Sequence, residues 1–287
     1  MDNHSSYSNA GDEKKRTVPH GHILLFVLTL LTTLAAGTLQ QGINPFEDPL
    51  SMWKGVPFSF TLLLILGTHE LGHYFVSKRH HVDVTLPYFI PAPSFIGTFG
   101  AVIKMRSPIL DRKTLLDIGV AGPFAGIIVA VPILIVGLAL SEVVPYAEET
   151  GVRLGTCLLF SFLSFIVHGT LPENVSLILH PAAFSGWIGL LVTSLNLIPV
   201  GQLDGGHVSY AILGKKQRVV AKIFMACLLV LGAIGWMGWL VWFALLLFLG
   251  LNHPPVIYDW IPLDKKRKII GYIALFVFVI TFMPKPF

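Results

Sequence analysis

Three residues capable of metal and acid–base chemistry interrupt an apolar run. The stretch "LLLILGTHELGHYFV" contains His69, Glu70 and His73. Residues four apart share one face of an α-helix, so the two imidazoles can meet one metal ion with Glu70 beside them. HExxH on a helix is typical of zinc hydrolases, in which the glutamate is the general base. We therefore predict His69 and His73 as zinc ligands and Glu70 as the catalytic residue.

The composition places this motif inside a lipid bilayer. Of the 287 residues, 54% are hydrophobic and only 13% are charged, whereas a soluble domain carries about 25% charged residues. A charged side chain at the bilayer centre costs about 2.5–3.5 kcal/mol on insertion scales, so such residues in a span indicate function. A buried polar network between helices is the alternative that the motif alone leaves open.

Several apolar runs are long enough to cross a bilayer, which takes about 20 residues per helix. The longest run is about twice that length, and "GAIGWMG" in its middle predicts two short crossings joined by a turn. The predicted fold class is an all-α polytopic membrane protein with about 6–8 transmembrane helices. The candidate runs are residues 23–39, 57–77, 115–140, 182–200, 219–251 and 269–283.

Basic residues predict the orientation of the chain. The polar residues 1–22 are expected to form a disordered tail, and 17 of the 20 lysines and arginines fall in five clusters. Cytoplasmic loops are enriched in such residues, so the tail and all five clusters are expected in the cytoplasm. The net charge of +4 does not indicate nucleic-acid binding, because the basic residues lie between the apolar spans. The clusters are residues 14–16, 78–79, 104–113, 215–222 and 265–268.

Two segments do not fit a simple helical span. Residues 82–105 are β-rich and broken by prolines, which predicts a small membrane-associated β segment after the HExxH helix, with a plain cytoplasmic loop as the alternative. Residues 154–167 are apolar but short. We expect them to form a re-entrant or interfacial helix, or one arm of a pair that returns to the same side.

A catalytic zinc ion takes three protein ligands and keeps one position for water. Asp204, in "NLIPVGQLDGGH", follows an apolar run that ends toward the cytoplasm. The neighbouring proline and glycines would break the helix and let the carboxylate turn into a cavity. Asp204 is therefore the preferred third ligand, and Asp117, at the start of the third run, stays open as an alternative.

Three motifs in this order resemble the site-2 protease family of intramembrane zinc metalloproteases. They are HELGH, "GPFAG" (residues 122–126) and "NLIPVGQLDGG". The resemblance implies one zinc ion per chain, held by His69, His73 and Asp204, with Glu70 as base and Asn196 binding substrate. It covers about residues 57–213 and implies hydrolysis of peptide bonds in or near transmembrane segments of membrane proteins. We expect residues 23–287 to form a single transmembrane metalloprotease domain.

The closing "NHPPVIYDWIPLDKKRK" and the motif "GQLDGGH" resemble the compact bacterial and plastid branch of that family, without PDZ or CBS domains. We expect an integral multi-pass protein of the bacterial inner membrane with a cytoplasmic N-terminus. Its expected partners are transmembrane protein substrates and the lipid bilayer, with no nucleic acid, and the oligomeric state is left open. The alternatives are a zinc-binding membrane transporter and another HExxH membrane protease, such as a prenyl-peptide protease.

Several further residues near these motifs give less specific signals. His207 is either a group that orients the metal ligands or a helix-start histidine, and His253 in "NHPP" is expected to fix a turn. Gly122 and Gly126 form a small-xxx-small pattern that favours helix packing.

Overall fold

The computed structural model describes residues 19–145, 152–172 and 174–287. Most of the predicted tail, residues 1–18, lies outside the described residues. The first helix begins at His20, so the end of the predicted tail is helical. The helices are α1 His20–Leu39, α2 Val56–Arg79, α3 Arg112–Ala139, α4 Leu158–His168, α5 Pro181–Asn196, α6 Asp204–Leu213, α7 Gln217–Ile234, α8 Gly238–Leu249 and α9 Lys265–Thr281. The strands are β1 Tyr88–Pro91, β2 Thr98–Val102, β3 Glu142–Pro145 and β4 Val175–Ile178.

The protein is a mostly helical membrane protein. Among the described residues, four helical stretches are long and apolar enough to cross a bilayer, so the count of 6–8 crossings is not confirmed. The other predicted crossings form shorter helices; α5, for example, has 16 residues, or about 24 Å against a hydrocarbon thickness of about 30 Å. The four stretches are His20–Leu39, Pro49–Arg79, Arg112–Ala139 and Asp204–Ile234.

The centre of the fold is the packing of α3 against α2 and α5. Small residues permit it: a Cβ atom added at Gly72 would lie 2.5 Å from the Ala121 carbonyl oxygen, and one at Gly186 would lie 2.9 Å from the Leu134 Cβ. Lipid tails provide no hydrophobic force between helices, so close van der Waals contact holds them together. The α2–α3 contact sets the distance between the HELGH motif and the GPFAG motif.

The predicted β segment is an antiparallel hairpin of β1 and β2, in which Tyr88 pairs with Val102. It lies along α1 and is fastened to it at several levels. The Thr32 Oγ1 donates to the Gly97 carbonyl at 2.6 Å, and the Gln40 Nε2 donates to the Phe95 carbonyl at 2.8 Å. The helix and these bonds satisfy non-helical backbone that lipid could not.

The short apolar segment after α3 forms a helix that is too short to span a bilayer by itself. α4 has 11 residues, about 16 Å. β3 pairs antiparallel with β4 on either side of it, and the His180 backbone N–H donates to the Ser141 Oγ at 2.9 Å. The end of α3 and the start of α5 therefore lie close together. A segment that returns to the same side of the membrane requires this arrangement.

The turn predicted at "GAIGWMG" separates α7 from α8. α7 ends at Ile234 and α8 begins at Gly238. The two helices pack closely beside the turn, where a Cβ atom at Gly232 would lie 2.6 Å from the Leu240 side chain.

Candidate metal centre

α2 carries the HELGH residues on buried turns. The helix has Pro57 in its first turn, where its missing N–H is not needed, and Arg79 in its last turn, where a cation suits the helix dipole. His69, Glu70 and His73 are 4%, 7% and 6% exposed. The Nε2 atoms of the two histidines lie 3.2 Å apart, as the i,i+4 spacing predicts.

α6 brings Asp204 to the same point. Its Oδ2 lies 3.2 Å from the His73 Nε2 and 3.3 Å from the His69 Nε2. Two ligand atoms that each lie about 2.0–2.1 Å from a tetrahedral ion are themselves about 3.3 Å apart. The three donor atoms therefore have the spacing of ligands that share one zinc ion, and two histidines with one carboxylate are a donor set found in catalytic zinc sites.

Two glycines of α3 make room for the imidazoles. A Cβ atom at Gly122 would collide with the His73 ring at Nε2, and one at Gly126 would lie 3.2 Å from the His69 Nδ1. The GPFAG motif thus does more than the helix packing that the sequence favoured. It leaves the volume that the two predicted ligand side chains fill.

A hydrogen bond fixes the orientation of the His73 imidazole. The Nδ1 of His73 lies 2.8 Å from the Ile118 carbonyl oxygen. A carbonyl only accepts, so Nδ1 carries the proton and Nε2 keeps its lone pair toward His69 and Asp204.

Asn196, at the end of α5, also reaches the centre. Its Nδ2 lies 3.2 Å from the His69 Nε2. The amide therefore stands beside the donor atoms rather than elsewhere between the helices.

Glu70 is not one of the three residues whose donor atoms converge. Its carboxyl is next to the backbone N–H of Ile103, just beyond β2, and it faces His73 and Asp204. The hairpin that follows α2 thereby returns to the carboxyl that the motif predicts as the base.

Asp117 is not brought to the histidines of the motif. It accepts hydrogen bonds from the Arg267 Nε at 2.9 Å and Nη2 at 2.6 Å, and its Oδ2 lies 3.0 Å from the His80 Nε2. These contacts tie α3 to α9 and to the end of α2. Asp117, the alternative third ligand, therefore joins helices and does not reach the two histidines.

Sequence reasoning missed part of the surroundings of Asp204. The Nδ1 of His207 lies 2.7 Å from the Nε2 of His253, although these histidines are 46 residues apart in the sequence. Gln217, fully buried at the start of α7, was not singled out, because a glutamine after a basic cluster has no distinctive pattern.

The sequence is similar to those of known zinc metalloproteases. The sequence model of peptidase family M50 matches residues 57–234, which include every residue of the metal centre. The probable zinc metalloprotease EGY2, chloroplastic, of Arabidopsis thaliana is 30% identical over 93% of this chain and 48% of its own length. The probable zinc metalloprotease EGY1, chloroplastic, of the same plant is 31% identical over 91% of this chain and 52% of its own length.

The chain therefore spans about half the length of the curated relatives it matches. No solved structure matches it significantly. The family match covers more than half of the chain and contains the HELGH, GPFAG and LDGG motifs. The chain belongs to peptidase family M50, the site-2 protease family.

Proposed function

We propose that this protein is an intramembrane zinc metalloprotease that hydrolyses peptide bonds in or near transmembrane segments of membrane proteins. The observation that carries the proposal is the convergence of the His69, His73 and Asp204 donor atoms within 3.2–3.3 Å of one another. These three residues would hold one zinc ion per chain. Both histidines belong to α2, one of the candidate membrane spans.

The residues have separate tasks in the hydrolysis. Zinc, when bound, supplies a Lewis acid that polarises the peptide carbonyl and acidifies water. Glu70 accepts the proton from the attacking water and delivers it to the leaving amine nitrogen. Asn196, beside His69, donates its amide N–H to the carbonyl oxygen of the scissile bond and so holds the substrate.

A transmembrane substrate must unwind before it reacts, because a helix keeps its amides hydrogen-bonded to itself. The contact of Glu70 with Ile103 places the hairpin next to the base. In the two-stranded sheet of β1 and β2, an unwound segment can pair with the outer edge of β2 and regain the hydrogen bonds that it lost. The substrates are therefore transmembrane proteins with a locally unstable helix.

The proposal also covers the domain, its orientation and the membrane that contains it. We assign residues 23–287 to one transmembrane metalloprotease domain with about 6–8 transmembrane helices. The distribution of basic residues supports a cytoplasmic N-terminus. The membrane of this chain is proposed to be the bacterial inner membrane. The names of the plant relatives place those proteins in the chloroplast.

The test replaces Glu70 by glutamine in the full chain in liposomes and follows cleavage of a transmembrane peptide together with zinc content. General acid–base assistance contributes about 10²–10⁴-fold, and we expect Glu70→Gln to lose activity near the upper end of that range with zinc unchanged. Glu142→Gln, at an exposed carboxylate of β3, is the matched control.

Two results would overturn the proposal. Near-parental cleavage by Glu70→Gln would remove the protease mechanism. Loss of zinc together with activity would make Glu70 a ligand, and zinc uptake into the liposomes would then support a transporter.

A further inference from the structure

The helix that presents Asp204 cannot hold its own position. α6 has 10 residues, Asp204 is its first, and the preceding Leu203 offers no side-chain cap. Although α6 and α7 lie in one helical stretch, Gly214, with a φ of +58°, ends α6 before α7 begins. Isolated helices shorter than about 12–15 residues are marginal in stability. The position of the Asp204 carboxylate therefore depends on what fastens α6 to its surroundings.

One fastening is the chain after α8. The backbone N–H of Gly201 donates to the Leu251 carbonyl at 3.1 Å. The buried Gln217 donates from Nε2 to the carbonyls of Pro199 at 3.3 Å and Leu251 at 3.4 Å, and its Oε1 accepts from the His253 backbone N–H at 3.4 Å. The loop that leads into α6 is thus bound to residues 251–253.

A second fastening acts on α6 itself, through the imidazole of His253. Its Nδ1 lies 2.5 Å from the Pro254 carbonyl oxygen and its Nε2 lies 2.7 Å from the His207 Nδ1. Since the carbonyl only accepts, a neutral His253 keeps its proton on Nδ1, and its Nε2 accepts from His207. Tyr210, one turn further along α6, stacks on the same ring with centroids 4.5 Å apart.

The His207 contact controls the rotation of α6. His207 lies one turn beyond Asp204, and both residues pack against the same glycine of α3. A Cβ atom at Gly119 would lie 2.9 Å from the His207 Cβ and 3.3 Å from the Asp204 carbonyl oxygen. A turn of α6 that released His207 from His253 would therefore also move Asp204 away from His69 and His73.

We propose that His253, together with Gln217, is a positioning residue of the metal centre that holds α6 at the rotation and depth where Asp204 meets the two histidines. The proposal rests on the proposed function, because it takes Asp204 as a zinc ligand. His253 lies beyond residue 234, where the family match ends. The segment at residues 251–254 would thus complete a site whose donor atoms all belong to the matched region.

The test measures zinc affinity directly, by competition with a chromophoric chelator in detergent, and records the visible spectrum of the cobalt-substituted protein. Loss of groups that orient metal ligands typically lowers metal affinity about 10–100-fold. We expect a loss in that range, with an altered cobalt spectrum, for His253→Ala and for Gln217→Leu. His253→Gln offers an acceptor to His207 and should regain most of the affinity.

His168→Ala is the matched control, because His168 is a half-buried histidine whose one hydrogen bond within the described part of the chain is to the Leu138 carbonyl at the end of α3. It should leave the affinity and the spectrum unchanged. A purely structural role for His253 would lower the unfolding temperature but would leave the spectrum of the folded protein as in the parent, and that result would overturn the proposal.

The outcome also separates the two proposals. A parent protein that binds no zinc would overturn both this inference and the proposed function. A parent that binds zinc and cleaves its substrate, with His253→Ala at parental affinity, would overturn the positioning role alone.

Discussion

The two halves of the candidate metal centre are built in different ways. α2 supplies His69 and His73 from adjacent turns of one 24-residue helix, so their mutual distance follows from helix geometry. α6 supplies Asp204 from the first residue of a 10-residue helix, and its position follows from contacts with α3, α7 and the chain after α8. We call the α2 side, with His69 and His73, the preset half, because one helix fixes both donor positions. We call the α6 side, with Asp204, the assembled half, because tertiary structure brings this donor to the other two.

This difference predicts unequal consequences when a donor is removed. Asp204→Ala leaves the histidine pair of α2 intact, so weak zinc binding should remain, at least about 100-fold below the parent, the upper limit for loss of an orienting group. His73→Ala leaves His69 and Asp204 on separate helices and should remove measurable binding. Competition with a chromophoric chelator gives both values, and proteolysis should fall to background in each variant.

Asp48→Ala, at an exposed carboxylate outside the helices, serves as the control for these titrations. Parental zinc affinity in Asp204→Ala would break the comparison, since Asp204 would then be no ligand. Equal residual binding in both variants would show that the histidine pair of α2 has no advantage over the assembled half.

The predictions made from the sequence also differ between the two halves of the metal centre. His69, Glu70 and His73 could be assigned from a local spacing, and the β segment at residues 82–105 from its prolines and β-rich composition, because both signals are short-range. Asp204 was chosen from its context, and the structure brings it to the histidines.

The supports of the site could not be predicted in this way. The contact between His207 and His253 and the three bonds of Gln217 join segments that only the tertiary fold brings together. The count of crossings was not confirmed for a related reason, since the hydropathy of a run does not reveal that α5 is a short helix enclosed by its neighbours.

A glycine series on the preset half would sharpen the comparison. A Cβ atom at Gly122 would overlap the His73 ring, one at Gly126 would lie 3.2 Å from the His69 Nδ1, and one at Gly67 would lie 3.5 Å from the Phe89 ring. Zinc affinity should therefore fall about 10–100-fold in Gly122→Ala, less in Gly126→Ala, and not at all in Gly67→Ala. The chelator titration measures this order.

Unfolding temperature gives an independent reading of the series. Alanine is favoured over glycine inside a helix by about 0.5–1 kcal/mol, so Gly67→Ala should be at least as stable as the parent. If Gly122→Ala binds zinc like the parent, the space beside His73 is adaptable, and the preset half is less rigid than its geometry indicates.

The smallest expected effect on zinc concerns Asp117, which joins the preset half to the rest of the fold without reaching the donors. Its carboxylate accepts two hydrogen bonds from Arg267, and hydrogen bonds to charged groups are worth about 1.5–3 kcal/mol. Asp117 and Arg267 are 20% and 29% exposed, so solvent screening reduces that value, and we expect Asp117→Asn to cost about 1–2 kcal/mol of stability. Zinc affinity should stay at the parental level, because α2 and α6 keep their own contacts with α3.

Arg267→Lys keeps the charge but loses the two-point geometry, so its stability should lie between those of the parent and Asp117→Asn in denaturant titrations. If Asp117→Asn lost zinc while Asp204→Ala retained it, the third ligand would be Asp117 and the assembled half would lie at the start of α3 instead of α6.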